Sequence, residues 1–555
     1  MSEPWLSFYP KNIPAEIEIG NQTLQDLLLD AEAKYSDIKG FACMGKEMTY
    51  KELFDQARAF SNYCREVLKL RKGDRLALMI PNVLQYPICL FGGLFAGLTI
   101  VNLNPLDKAE SLKSELKDSG AKAIVVLENF TTELEKIIEQ TDVEKVILTS
   151  IGSRHPFLER WLINSYLRYI KKVIPTWHLL GAIRLHEALK LGEQYTFTKA
   201  AIKPDDLAFF QYTGGTTGAA KGVMLSHRNI VANLLQIHAW TKEMLKPQQE
   251  VVLTALPLYH IFSLVINCFL FTFLGGRNVL VPDPRNIPNL VSVMQKSGIT
   301  CFCGVNTLFN ALLHNEAFRA MNHSPAVVIG GGMAVQKAVA DEWQKVTGSV
   351  LIQGYGLTET SPVVTINPLD AKEFTGSIGQ PIPSTKVSIR NDETGKAMPL
   401  GEVGDLCVQG PQVMQGYFHR GQETAEVMRD GWLHTGDAAY MDKKGFIYIV
   451  DRIKDMVVVS GFNVYPAEVE NMLKTMPGVN EVAVIGVPDT DHGEVVKAFI
   501  VPEAESKLTE KAVIKFCHDK LAAYKCPHFV EFRDSLPKSP VGKILKKDLR
   551  AQKKA

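Results

Sequence analysis

The stretch Tyr212, Thr213, Gly214, Gly215, Thr216, Thr217, Gly218, Ala219, Ala220, Lys221 and Gly222 sets glycines, threonines and a lysine between two apolar segments. Glycines let backbone N–H groups turn inward on an anion, threonine hydroxyls add donors, and the lysine adds a full positive charge. Those residue types in that spacing make a phosphate cradle. It is not a Walker loop, because Gly222 and not Ser or Thr follows Lys221. Its glycine spacing is not that of a Rossmann fingerprint either. Three further loops offer complementary chemistry. Gly330, Gly331, Gly332 and Met333 follow an apolar run, where glycines suit either a flat ring lying on the backbone or a tight turn. Gly354, Tyr355, Gly356, Leu357, Thr358, Glu359 and Thr360 supply an aromatic face for a base, a hydroxyl for phosphate and a carboxylate for Mg²⁺; that ion usually binds through one or two carboxylates plus phosphate oxygens. The run GWLHTGD at 431–437 ends in Asp437, suited to a ribose diol or to a plain turn.

Loops of this kind need a scaffold. Up to about residue 430, short β-rich runs (75–80, 123–127, 251–255, 326–330) alternate with helix-length amphipathic segments. That pattern predicts α/β sheets covered on both faces, which bind ligands at the carboxyl ends of their strands. The composition shifts at 451–455, after which helices near 467–476 and 510–521 flank strands near 481–487 and 496–502, a smaller α+β domain over 456–555. The chain has 555 residues, 46% hydrophobic and 22% charged, which is globular composition. Its net charge of +1 provides no field for nucleic acid. Nine scattered cysteines include no Cys-x-x-Cys pair, so zinc or thioredoxin-like chemistry is not expected and reduced cytosolic thiols are. No signal peptide is read at the N-terminus, and the apolar runs 86–103 and 264–274 read as buried core, not membrane spans.

The loops together resemble the adenylate-forming superfamily of acyl-CoA synthetases and adenylation domains. The motifs stand in the family's order: the 212–222 loop, LPLYHIF at 256–262, the 354–360 loop, Gly436 and Asp437, DRIKD at 451–455 and PKSPVGK at 537–543. The likeness runs from about residue 20 to residue 550, and Ala220 departs from the general pattern, where proline is common. Within the superfamily the chain is similar to bacterial long-chain fatty-acid–CoA ligases, on residues 211–218, 304–310 and 459–468.

The resemblance implies ATP, Mg²⁺ and CoA as reactants with a long-chain fatty acid. A carboxylate is a poor electrophile, and an acyl-adenylate gives it a leaving group. Catalysis is then positioning plus electrostatics as pyrophosphate departs. Carried over motif by motif, Lys543 would bridge the acyl carboxylate and the α-phosphate, and His260 would face the carboxylate or adenylate. Residues from Tyr212 and Thr213 through Thr216, Thr217 and Lys221 would hold the β- and γ-phosphates, Thr358 would contact phosphate and Glu359 would bind Mg²⁺. Gly332, Met333 and Tyr355 would enclose the adenine, Gly354 and Gly356 would also belong to the nucleotide site, and Asp437 and Arg452 would hold the ribose. Lys454 would be the hinge about which the small domain turns between half-reactions, and Gly461 would line the pantetheine path. The implied architecture is a large domain over 1–450, made of two packed α/β subdomains plus a distorted β-barrel near 365–450, a hinge at 451–455 and a mobile small domain over 456–555.

An acyl tunnel would draw on 261–270 and 305–313, with Trp240 as a gate, although ordinary core explains most of those residues. Residues 154–184 carry Phe157, Trp161, Leu162, Tyr169, Ile170 and Val173 at roughly helical spacing among Arg154, Arg160, Arg168, Lys171, Lys172 and Arg184. That composition suits peripheral docking on an anionic membrane from the cytoplasmic side, and equally a helix packed on the large domain with its basic face solvated. A homodimer is open by analogy with relatives. Three rivals share the motifs: a ligase delivering acyl groups to a carrier protein, a ligase for medium-chain or aromatic acids, and a non-enzymatic lipid-binding relative.

Overall fold

A computed structural model describes residues 3–213, 220–321, 325–460, 462–504, 506–538 and 544–551. Two large sheets dominate. One has nine strands, in the order Gln380–Pro381, Val363–Ile366, Leu351–Gly356, Val327–Gly330, Cys301–Gly304, Val251–Thr254, Arg277–Leu280, Lys39–Cys43 and Lys46–Thr49. From Leu351–Gly356 to Lys39–Cys43 it is parallel, and both edges are antiparallel. The other has eight strands, in the order Gly416–Tyr417, Lys221–Ser226, Leu207–Thr213, Thr99–Asn102, Arg75–Met79, Ala123–Leu127, Lys145–Thr149 and Ile183–Arg184. The parallel strands read as continuous apolar runs because helices cover both faces: Ala123–Leu127 is buried at every position.

One hydrophobic core spans both sheets and the helices between them. Helix Tyr50–Asn62 starts at a Thr49/Glu52 capping box and lays Phe54 and Phe60 against helix Gln85–Phe95. The Phe54 and Phe91 rings stack with centroids 5.7 Å apart. Helix Gln85–Phe95 is buried on all sides, which is where the apolar run at 86–103 goes. No helix among the described residues is long and apolar enough to cross a membrane.

The antiparallel unit expected near 365–450 takes shape further along. Val363–Ile366 and Gln380–Pro381 extend the nine-stranded sheet, because Val363–Ile366 pairs with Leu351–Gly356. A separate five-stranded antiparallel sheet holds Lys386–Arg390, Gly404–Gln409, Met428–Arg429, Trp432–Met441 and Ile447–Arg452. The turn Ile453–Asp455 follows, and then a small sheet built on the long hairpin Val479–Asp489 and Gly493–Pro502. Its residues alternate strictly. Val482 and Val484 face helices Pro466–Leu473 and Glu510–His518, whereas Ala483 and Ile485 face Leu536 and Leu549.

Residues 154–184 form a helix, Phe157–Ser165, that continues as a π-helical segment, Tyr166–Ile170. Its amphipathicity is inside-out. Asn164 accepts from the Gly152 amide (3.2 Å), and Arg168 and Arg184 both pair with Glu128, which is only 2% exposed. The apolar side faces outward instead, with Leu158 65%, Tyr169 70% and Ile170 70% exposed. The helix thus does not pack its apolar side against the large domain, and Arg168, still 41% exposed, reaches back to the buried Glu128 carboxylate.

Candidate active site

The carboxyl ends of four adjacent parallel strands meet at one edge of the nine-stranded sheet. Val251–Thr254 leads to the loop carrying His260, Cys301–Gly304 to Val305, Val327–Gly330 to Gly331, Gly332 and Met333, and Leu351–Gly356 carries Tyr355 itself. The glycine loop is pinned: the Gly331 amide donates to Gly304 O (3.2 Å) and the Val335 amide to Gln353 Oε1 (3.1 Å). Gly332 is left-handed (φ +72°), a conformation that favours glycine. At Gly356 a Cβ would stand 1.9 Å from Pro362 O, so the strand can approach the next segment only without a side chain.

Asp437 joins two of these elements. Antiparallel pairing sets it opposite Arg452, and Arg452 Nε lies 2.5 Å from Asp437 Oδ1. The Tyr355 phenol donates to Asp437 Oδ2 (2.5 Å). A carboxylate has about four acceptor positions, so each Asp437 oxygen keeps one for a diol. Burial pushes the Tyr355 phenol far up, and Asp437 adds to the shift. Burial pulls the Arg452 guanidinium down, but Asp437, ahead of Tyr355 and Glu359, carries it above its ordinary value. Asp405, unnoticed in the sequence, supports the turn before Asp437 by accepting from the Gly436 amide (3.0 Å). Asp405, Cys407 and His434 bring metal-type ligand atoms within 4.8 Å of one another. Arg429 Nη2 stands 2.8 Å from His434 Nδ1, so a cation is already in place there.

Glu359 and Thr358 share the short 3₁₀ turn Thr358–Thr360. The Tyr417 phenol donates to Glu359 Oε1 (2.8 Å), and Lys221 Nζ sits 4.9 Å from the centre of the Tyr417 ring. The edge strand Gly416–Tyr417 thus ties the lysine of the cradle to the acid of the 354–360 loop. Tyr417 carries no sequence signal, since it lies on a two-residue strand outside every motif. Tyr212 and Thr213 end strand Leu207–Thr213, and the Tyr212 phenol turns away to donate to Asp118 Oδ2 (2.8 Å). Gly214, Gly215, Thr216, Thr217, Gly218, Gly461 and Lys543 lie outside the described residues. For Mg²⁺, one carboxylate with a hydroxyl beside it fits an ion that takes its other ligands from phosphate and water.

His260 caps the start of helix Ile261–Ser263, its Nδ1 accepting from the Phe262 amide (3.4 Å). Burial pushes its pKa down to about 4, so the ring is neutral at physiological pH. The loop ahead of it is held by buried polar side chains from the other sheet. Asn82 Oδ1 accepts from the Leu258 amide (2.8 Å), Asn82 Nδ2 donates to Thr254 O and Leu256 O (both 2.9 Å), and Gln211 Nε2 donates to Tyr259 O (2.5 Å). The two sheets therefore turn their ligand-binding ends toward each other around this loop.

Behind His260, residues 261–273 run as α, π and α turns with Leu264–Leu270 π-helical and fully buried. Asn267 is wholly buried there, and neither amide atom has a partner among the described residues. Trp240 is buried too, donating to Asn367 O (3.3 Å) with the Tyr9 ring edge-on at 5.3 Å. Lys454 lies in the turn Ile453–Asp455. On either side of it, Asp451 Oδ2 accepts from the Ala467 amide (2.6 Å) and Asp455 pairs with Arg550 (2.8 Å). Burial, with Arg452 beside it, lowers the Lys454 ammonium.

The AMP-binding enzyme family matches residues 30–418, and the AMP-binding enzyme C-terminal domain matches residues 468–543. The chain belongs to the AMP-binding enzyme family. Along 552 residues, 99% of this chain and 98% of the relative, it is 50% identical to a long-chain-fatty-acid–CoA ligase of Escherichia coli O157:H7. It is 38% identical over 550 residues to the ligase of the same name from Bacillus subtilis (strain 168), covering 99% of this chain and 97% of that one. Among solved structures, ATP-bound MatB from Rhodopseudomonas palustris is similar with a TM-score of 0.82 at 28% identity, over 96% of this chain and 99% of that chain. The family thus carries both domains seen here, the large α/β part and the small α+β part.

Proposed function

We infer that the protein is an AMP-forming, ATP-dependent long-chain fatty-acid–CoA ligase. The full-length likeness to long-chain-fatty-acid–CoA ligases carries this reading. The local support is a polar cluster in which Tyr355 and Arg452 both bond to Asp437.

In the first half-reaction a fatty-acid carboxylate oxygen attacks the α-phosphorus of ATP, and the bond to the pyrophosphate oxygen breaks. Gly332, Met333 and Tyr355 enclose the adenine, and the free acceptor positions of Asp437 take the ribose hydroxyls. Lys221 and the threonines of the cradle hold the β- and γ-phosphates. Lys543 bridges the carboxylate and the α-phosphate, where charge gathers. His260, neutral, orients the carboxylate by hydrogen bonding without adding charge. Glu359 would hold Mg²⁺, which would supply charge neutralisation at the phosphates, and Thr358 contacts phosphate. In the second half-reaction the CoA thiol loses its proton and attacks the acyl carbon, and the carbon–oxygen bond to AMP breaks. Residues 1–450, 451–455 and 456–555 act as large domain, hinge and mobile domain, because Lys543 and the thiol need the same face in turn. The acyl chain enters past the helix at 261–273, whose π-helical turn is a weak point that can yield.

The outward apolar helix supports a further reading: the enzyme works in the cytoplasm and docks peripherally on an anionic membrane, where its substrate partitions. Apolar patches of this kind mark interaction surfaces, and the exposed Lys171 and Lys172 beside it complement anionic lipid. Replacing Trp161 and Ile170 by serine is expected to reduce sedimentation with anionic vesicles at least tenfold. Turnover of a soluble shorter acid stays unchanged. Undiminished sedimentation ends this reading.

The activity itself is checked by AMP formation with ATP, Mg²⁺ and acids of increasing length, with and without CoA. The expected result is CoA-dependent AMP release that peaks with long chains. Adenylate accumulation indifferent to CoA would move the protein to the carrier-protein ligases.

A further inference from the structure

At the root of the outward helix lies a cavity of about 260 Å³, lined among others by Lys46, Glu52, Arg154, His155 and Pro156. It belongs to none of the elements around His260, Tyr355 or Asp437. Its volume is several times the ~30 Å³ share of a water molecule, enough for a phosphate with its ester linkage. The lining is basic: the side chains of Lys46 and Arg154 form no ion pair or hydrogen bond among the described residues. Arg154 is half-buried, and burial pulls its guanidinium below the ordinary value, with the Glu52 charge countering. Glu52 is the acid in the lining, and its Oε2 accepts from the Thr49 amide (2.9 Å) in the capping box. The His155 side chain is 7% exposed and turns Nδ1 to Glu159 (3.2 Å). Met48 and Leu84 give the floor an apolar surface. Lys46 and Arg154 thus outnumber Glu52 over a partly apolar floor, an arrangement that suits an anion.

The position selects the anion. Pro156 lines the cavity and begins the helix whose exposed Leu158 and Trp161 follow within two turns. Trp161 lies roughly 7 Å further along the helix at 1.5 Å per residue. An interfacial helix lies in the plane of the boundary between headgroups and acyl chains, so a cavity at its N-terminal end stands beside lipid headgroups. We propose that this cavity seats the phosphate of an anionic lipid headgroup, paired by Lys46 and Arg154, while the outward helix rests in the membrane surface. The proposal rests on the peripheral-docking reading above.

The test pairs two assays on the full-length protein. With vesicles containing phosphatidylglycerol, Lys46→Ala with Arg154→Ala is expected to weaken binding by roughly fivefold per cation removed. Binding to phosphatidylcholine vesicles, which depends on the helix, stays unchanged. Turnover of a soluble short acid also stays unchanged, which shows that the variant folds. The second assay needs no membrane: calorimetry with dihexanoyl phosphatidylglycerol below its micelle concentration, and with inorganic phosphate. Binding of the short lipid by the parent protein and not by the double variant supports the site. Wild-type vesicle binding in the double variant, or no heat with the short lipid, overturns it. Inorganic phosphate binding as tightly as the lipid overturns the headgroup assignment. If the parent protein ignores vesicles yet binds the short lipid, the docking reading fails and the cavity remains a phosphate site.

Discussion

Asp437→Ala is expected to lower kcat/KM for ATP by roughly 10- to 150-fold, most of it through KM. The range follows from hydrogen bonds to a charged group, worth about 1.5–3 kcal/mol. Three things fail together. The ribose loses its acceptor, the Tyr355 phenol loses the oxygen 2.5 Å away, and Arg452 keeps a guanidinium with no carboxylate at Nε. Asp437→Asn separates them, because the amide oxygen still accepts one hydrogen bond but no longer balances Arg452. It should fall between the parent and alanine. Steady-state kinetics at varied ATP and fixed fatty acid decide the matter, with a thermal melt as the control for folding. A fall confined to kcat, with KM for ATP unchanged, would remove Asp437 from the ribose.

Lys543→Ala should cost adenylation about 10³-fold or more, the scale for removing a cation or donor aimed at a transferring phosphoryl group. Thioester formation from preformed acyl-adenylate and CoA should survive within a few-fold, since that step leaves the phosphate as a departing group and needs no bridge to pyrophosphate chemistry. Near it in sequence, Lys538 and Ile544 pair across an antiparallel bridge, and Lys546 pairs with Glu470 (2.8 Å), so the chain on either side is anchored to the small domain. Loss of a lysine from a merely solvated tail would leave both half-reactions intact. Equal loss of both would mean that Lys543 supports the domain and not the first step. Pyrophosphate release measures one half-reaction, and acyl-CoA formed from synthetic adenylate measures the other.

Much of this molecule is readable before any fold is known. The phosphate cradle, the glycine loop at 330–333 and the 354–360 loop are runs of neighbours whose residue types are legible in the sequence. Gly332 shows why: its left-handed φ of +72° is a property of one residue, and glycine is the residue that meets it. The α/β class follows from apolar strand-length runs, because strands buried on both faces have no polar side to show. The small domain's alternation of Val482, Ala483, Val484 and Ile485 is likewise a local rule.

What only the tertiary structure decided are the pairings between distant segments. Tyr417 meets Glu359 and Lys221 because a two-residue edge strand closes the eight-stranded sheet. Asn82 and Gln211 hold the His260 loop from the opposite sheet, and Asp405 steadies the turn before Asp437 from the neighbouring strand. The helix at 157–170 points its apolar side outward and sets Arg168 against Glu128, a buried carboxylate more than twenty residues upstream. Sequence spacing determines what a loop can bind, since that chemistry lies in adjacent backbone and side-chain groups. Sheet register and packing determine which side chains from elsewhere reach it, and a contact across a hundred residues leaves no periodic trace in the chain.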